Sequence, residues 1–206
     1  MNDGWWYLTI RRYSGSGHPE EIGRRVREGL LPALRQQAGF RAYYAVRFDG
    51  GGGVFSVSVF DDRDAMTAAN GVALDWAASS LADLLVGTPE VTTSDVKVHL
   101  DAQQPGRDAY VIVRMTDDLG PASSVLPAVQ ERLVPLTLVQ PGFRHLYTGR
   151  DEARPDRSAT VSVFANRDTA TAAHAQVVSL MAQHRDVWPS PTRIILAGEV
   201  LVSAIA

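Results

Sequence analysis

Residues 57–69, VSVFDDRDAMTAA, return 104 positions later as VSVFANRDTATAA at 161–173, identical at nine of thirteen places. Such self-similarity means that one folding unit occurs twice, and it constrains the fold before any single element is assigned. Upstream the offset is 103: Gly39, Phe40, Arg41 and Tyr44 correspond to Gly142, Phe143, Arg144 and Tyr147, and Tyr7 and Arg11 to Tyr110 and Arg114. The one-residue slip falls between Arg47 and Val54, against Arg150 to Ser158. One stretch is Gly-rich and the other charged with Pro155, and loops of this kind tolerate length changes. The chain therefore reads as two repeats, residues 1–103 and 108–206, joined near Gln103 to Arg107.

The packing plan repeats where identity fades. Ile22, Val26, Leu30 and Ala33 map onto Val125, Val129, Leu133 and Leu136, a spacing that marks one side of a helix. Pro32 and Pro135 recur late in this helix and predict a kinked or broken last turn, after which Gly39 and Gly142 lead into the next strand. Each repeat reads strand, helix, strand, strand, helix, strand: about 5–12, 20–37, 40–48, 54–60, 62–84 and 91–100, then 109–115, 121–139, 143–149, 158–164, 166–185 and 193–204. Asp62 and Asn166 stand where a cap is needed, with Arg63-Asp64 and Arg167-Asp168 in the first turn. A β-α-β-β-α-β order gives an α+β, ferredoxin-like unit with both helices on one face of an antiparallel sheet. The strands carry large residues on both parities, Tyr43 and Ala45 against Phe40, Tyr44 and Val46, and Trp6, Leu8 and Ile10 against Trp5 and Tyr7. A half-solvated sheet would alternate more cleanly, so the two units are expected to pack sheet to sheet.

Composition narrows the function classes. Residues 1–103 carry 10 basic and 13 acidic side chains, and 104–206 carry 10 of each, so neither repeat has the basic excess that nucleic acid or an anionic membrane calls for. No apolar run approaches a membrane span, and the N-terminus has no signal-peptide pattern, so a cytoplasmic location is expected. The absence of cysteine removes thiolate ligands and a Cys nucleophile. Lys97 is the only lysine, expected on a solvent-facing strand. Gly50 to Gly53 lack a following helix N-terminus and the residues of a nucleotide loop, and no Gly-x-Ser-x-Gly elbow occurs.

The element order over nearly all of both repeats, Ala38-Gly39-Phe40 and Pro141-Gly142-Phe143 at the second strands, and VSVF running into a helix carry a resemblance. So do the closing strands Asp95-Val96-Lys97-Val98 and Glu199-Val200-Leu201-Val202. In these features the chain resembles the dimeric α/β-barrel superfamily, in its antibiotic-biosynthesis-monooxygenase-like branch. The resemblance implies an intramolecular dimeric α/β barrel, with a ligand cavity between helices and sheet, either a monomeric pseudo-dimer or a homo-oligomer. It also implies a cofactor-independent monooxygenase acting on small aromatic or polyketide-like compounds. The alternatives are a non-catalytic small-ligand-binding or scaffold protein and, third, a haem-binding or haem-degrading protein.

Oxygenases of that family use a Trp and an Asn on the second helix, which points to Trp76 and Asn70; these are six residues apart and so on different helix faces. Trp76 also continues the apolar face of Met66, Ala69 and Ala73, so core packing explains it equally well. Tyr44, with Arg47 three places on, recurs as Tyr147 and Arg150, and a Tyr facing a cavity can orient a phenol, although recurrence also fits sheet packing. Trp76, Asn70 and Tyr44 are the candidate catalytic residues. Leu180 and His174 stand at the Trp76 and Asn70 positions in the second repeat, which predicts asymmetric pockets. His174 and His184, ten residues apart on a helix, cannot share one metal ion, and no cluster with metal spacing surrounds His18 or His99; neither a metal nor a cofactor site is expected.

Overall fold

The computed structural model describes residues 6–14, 17–102 and 108–206; the junction Gln103–Arg107 and Trp5 lie outside them. Two compact units are present, one formed by Met1–Asp95 with Val200–Ala206, the other by Val96–Glu199. These bounds depart from the sequence repeats 1–103 and 108–206. Val96 to Ala102 of the first repeat fall in the second unit, and Val200–Ala206 of the second repeat in the first.

The first unit runs β1 (Trp6–Ser14), α1 (Pro19–Arg25), a π-helical turn (Val26–Leu30), α2 (Leu31–Arg35), β2 (Phe40–Phe48), β3 (Gly53–Phe60), α3 (Arg63–Ser80) and β4 (Val86–Val96). Its strands lie in the order β4-β1-β3-β2, followed by the end of the last strand of the chain, whose Ala206 N–H donates to Arg41 O at 2.9 Å. The second unit holds β5 (Val98–Asp101), β6 (Tyr110–Thr116), α4 (Ala122–Ala128), a second π-helical turn (Val129–Leu133), α5 (Val134–Leu138), β7 (Phe143–Arg150), β8 (Ser158–Phe164), α6 (Arg167–Gln183) and most of β9 (Arg193–Ile205). Its order is β9-β6-β8-β7-β5. Each unit is α+β with ferredoxin-like element order, as the sequence indicates. No helix among the described residues is long and apolar enough to cross a membrane.

The expected break at Pro32 and Pro135 takes another form. A proline ring inside a helix removes one N–H and collides with the carbonyl four residues back. Here the turn before each proline widens, so that Leu31 N–H reaches Val26 O and Val134 N–H reaches Val129 O, and the helix continues. The wide turn takes in an extra residue and rotates the apolar stripe by one place. Leu34 and Thr137 are consequently the buried residues after it, and Ala33 and Leu136 are only partly covered.

The second helices are capped as expected: the Asp62 carboxylate accepts from Ala65 N–H at 2.7 Å, and the Asn166 side chain from Thr169 N–H at 3.0 Å. Gly39 and Gly142 sit at φ 71° and 69°, the left-handed turn that ends the first helical region and feeds the next strand. Phe40–Phe60 and Phe143–Phe164 meet edge to face at 5.9 and 5.8 Å at equivalent places in the two units.

Strand register separates two faces. Arg11 lies opposite Ser56, which lies opposite Ala45, while Thr9 lies opposite Ser58 and then Tyr43. This row faces the helices, because Tyr13, Tyr43, Ala45, Val54 and Phe60 share a core with Ile22, Val26 and Ala73. Leu8, Ile10, Tyr44, Val46, Val57 and Val59 point the other way and are buried too, in keeping with the mixed parity of the strands. The helix-facing side is thus the more polar of the two.

Candidate functional site

Between the first helical region, the sheet and α3 of the first unit lies a narrow cleft of about 30 Å³, walled by Val26, Leu30, Tyr43, Trp76 and Ala77 and bordered by Arg11 and Tyr13. It shares Tyr13, Ala77, Leu81 and Leu85 with a larger hollow of about 410 Å³, which is bounded by α3 and by the chain leading into β4 at Pro89 and Val91. The two spaces adjoin, one able to hold a few atoms and the other a small aromatic compound.

Arg11 is the most unusual residue here. It is 1 % exposed, donates from Nε to Asn70 Oδ1 at 2.7 Å and from Nη1 to Ser58 Oγ at 2.8 Å, and its Nη2 is buried with no acceptor. Burial pulls its pKa below the usual guanidinium value, and the groups that act against this are the phenols of Tyr43 and Tyr13, not a carboxylate. A cation with neutral acceptors and a spare donor is arranged to receive an anion. Burial also raises the pKa of both phenols, and the Tyr43 hydroxyl pairs with Ser56, so Tyr13 and Tyr43 stay protonated at neutral pH.

The three sequence candidates separate. Trp76 lines the cleft, partly buried, with its indole lying so close to Gly29 that a Cβ there would stand 2.8 Å from Nε1. Asn70 is absent from the lining and reaches the cleft only through Arg11. Tyr44 is 1 % exposed on the opposite side of the sheet, and the lining tyrosine is its neighbour Tyr43. Alternation along a strand makes a one-residue choice a choice of face. Arg11, Tyr13 and Ser58 escaped the sequence reading, although an arginine repeated as Arg114 in otherwise apolar strands was a visible signal.

The second unit keeps a cleft in the equivalent place, of about 50 Å³, with different chemistry. Thr148 and Thr160 replace Ala45 and Ser56, Met181 replaces Ala77, and Trp188, 2 % exposed, closes it from the loop after α6. Lys97, half-buried at the bend between β4 and β5, is among the residues that line this cleft, and its backbone N–H donates to Thr148 O at 2.9 Å. Arg114 repeats Arg11: it is 4 % exposed, its guanidinium Nη2 donates to Ser162 Oγ, and Nη1 is buried without an acceptor. Burial pulls its pKa down to about 10. Burial and the nearby Arg114 charge lower the pKa of His174, whose Nδ1 has no hydrogen-bond partner. His184 meets Arg132 at 2.5 Å and packs edge-on against Trp188. Among the described residues no three His, Cys, Asp or Glu side chains gather as a metal site.

Comparison of the whole chain with solved structures shows the fold. A candidate monooxygenase from Fusobacterium nucleatum superposes with a TM-score of 0.75 at 13 % identity, covering 98 % of this chain and 95 % of that one. A second from Lactobacillus acidophilus gives 0.72 at 11 %, covering 98 % and 96 %. An anthrone oxidase-like protein gives 0.63 at 10 %, covering 100 % and 94 %. No family model matches the chain, and no curated protein matches it. The fold is a tandem dimeric α/β barrel.

Proposed function

We propose that the chain is a cofactor-independent oxygenase of a small aromatic or polyketide-like compound, working in the first unit. The supporting observation is Arg11: a buried cation with an unpartnered donor borders a cleft that adjoins a hollow of substrate size. In this reading the ring system sits in the 410 Å³ hollow against Leu74, Leu81 and Pro89. A phenol or enol, ionised towards Arg11, raises the electron density of an adjacent CH₂ carbon. The substrate carbanion passes one electron to O₂, and the resulting radical and superoxide combine into a peroxide at that carbon. Cleavage of the O–O bond leaves one oxygen as a carbonyl and releases the other as water, so that CH₂ and O₂ become C=O and H₂O. Asn70 and Ser58 hold the guanidinium, and Trp76 closes the cleft against water.

Anthrone is the natural probe, since one solved structure of this fold is called anthrone oxidase-like. Oxygen uptake with anthrone and with quinols is expected in the parent protein, with a loss of about 10²-fold in Arg11→Met, the scale of removing one charge-stabilising donor. No uptake with any of these compounds, or unchanged turnover in Arg11→Met, would overturn the reading. Unchanged turnover in Trp76→Phe would remove Trp76 from the mechanism. The competing reading is a non-catalytic ligand binder, favoured by the small inner volume; it predicts saturable binding of anthrone without oxygen uptake.

A further inference from the structure

We infer that the narrow cleft of the first unit is a dioxygen site, in which O₂ lies beside the Arg11 guanidinium and is reduced there to superoxide; this rests on the oxygenase reading and says where its second reactant is held. The two adjoining spaces are unequal. Such a space needs about 10–15 Å³ to hold one water, so the cleft of about 30 Å³ takes a diatomic molecule and no ring, while the hollow of about 410 Å³ takes the ring. Ile22, Val26, Leu30 and Ala73 line the cleft and not the hollow. Hydrocarbon walls favour a small nonpolar molecule over water.

Among the described residues that line the cleft, Arg11 alone is charged. Neutral O₂ gains little from that cation. Accepting one electron from the substrate carbanion leaves a substrate radical and turns O₂ into an anion, so the attraction to Arg11 appears as the electron arrives, which is where it lowers a barrier. The guanidinium is prepared for this. Asn70 and Ser58 hold Nε and Nη1, while the N–H groups of Nη2 have no acceptor, one for the ionised substrate oxygen and one for the superoxide. The second unit supplies the contrast. Arg114 keeps an unpartnered donor there, but it is absent from the lining of that unit's cleft, and Val177 stands at the place of Ala73. Cation and small space coincide only in the first unit, and O₂ reduction belongs to it.

Ala73→Val copies the residue of the second unit and puts extra methyl groups into the cleft, at a position that does not line the hollow. In anthrone-driven oxygen uptake it is expected to raise the KM for O₂ about tenfold and to leave the KM for anthrone within about twofold. Arg11→Met, which removes the cation, is expected to lower kcat even at saturating O₂. A second measurement needs neither turnover nor a variant, so it stands if Ala73→Val does not fold. With O₂ dissolved around the resting parent protein, paramagnetic relaxation of the Ala73 methyl protons is expected to exceed several-fold that of Ala69, which is as deeply buried one turn earlier on α3 but outside the cleft. Ala73 relaxation no greater than that of Ala69, or an O₂ KM unmoved in folded Ala73→Val, overturns the oxygen site and leaves the oxygenase reading standing. Unchanged kcat in Arg11→Met overturns the reduction beside the guanidinium. No uptake with anthrone or quinols in the parent overturns the oxygenase reading, and the reduction step with it.

Discussion

A guanidinium taken out of water and given two neutral acceptors loses hydration that those acceptors only partly replace. At Arg11 the consequence for stability can be read by removing donor and acceptor together. Arg11→Met with Asn70→Leu is expected to leave the unfolding free energy within about 1 kcal/mol of the parent or to raise it, whereas Asn70→Leu alone lowers it by about 1–3 kcal/mol, because one more guanidinium N–H is then stranded. Urea denaturation of the two variants checks both signs. His174 gives a pH test. Its folded pKa lies below the ordinary 6.5, so on acidification the unfolded chain takes up the proton first. Stability is full above about pH 6.5 and falls as pH drops towards the lower folded value. In His174→Asn, urea midpoints between pH 7 and pH 5 are expected to decline less steeply; an unchanged slope would show that the imidazole contributes nothing. At this scale the sequence reading was uneven. Trp76 stood out by size and helical position, but Tyr43 and Tyr44 are chemically identical neighbours, and only register assigns one of them to the helix side.

The serines of β3 show why whole elements can mislead. In VFSVSVF, alternation alone sends Ser56 and Ser58 to solvent and the valines inward. Both serines are in fact under the helices, where Ser58 binds Arg11 and Ser56 pairs with Tyr43, while Val57 and Val59 are buried on the other side. Alternation reports that two faces differ; when both are buried it no longer tells which is outer. The helices were more legible. Caps at Asp62 and Asn166 followed from local chemistry, and Asp62→Ala is expected to cost about 1 kcal/mol in thermal or urea unfolding. The π turns were not legible, since Pro32 and Pro135 indicate that the helix must adjust without indicating where. Gly29, within the first π turn, lies against the Trp76 indole. Gly29→Ala is expected to destabilise the first unit by about 1–3 kcal/mol and to shift Trp76 fluorescence, since indole or helix must give way. An unchanged spectrum together with unchanged stability would contradict the contact.

Taken whole, the chain repeats its sequence with one partition and its compact units with another. The duplication was legible from thirteen residues; the exchange of closing strands was not, because both partitions contain the same elements in the same order. The exchange can be tested by truncation. Val202 and Ala204 belong to the apolar core that holds Tyr43, Leu34 and Ala73. A chain ending at Glu199 is therefore expected to lose amide protection in β1 to β3, far away in sequence, before it loses protection in β6 to β8. Equal loss in both would refute the assignment. The same feature bears on synthesis. Residues that finish the first-made core, Val200–Ala206, are translated after the whole of the second unit, so the Arg11 neighbourhood waits, incomplete, while residues 96–199 are made. Vectorial folding, in which an N-terminal portion matures while the remainder is still being made, would leave that core without Val202 and Ala204 until the second unit is complete.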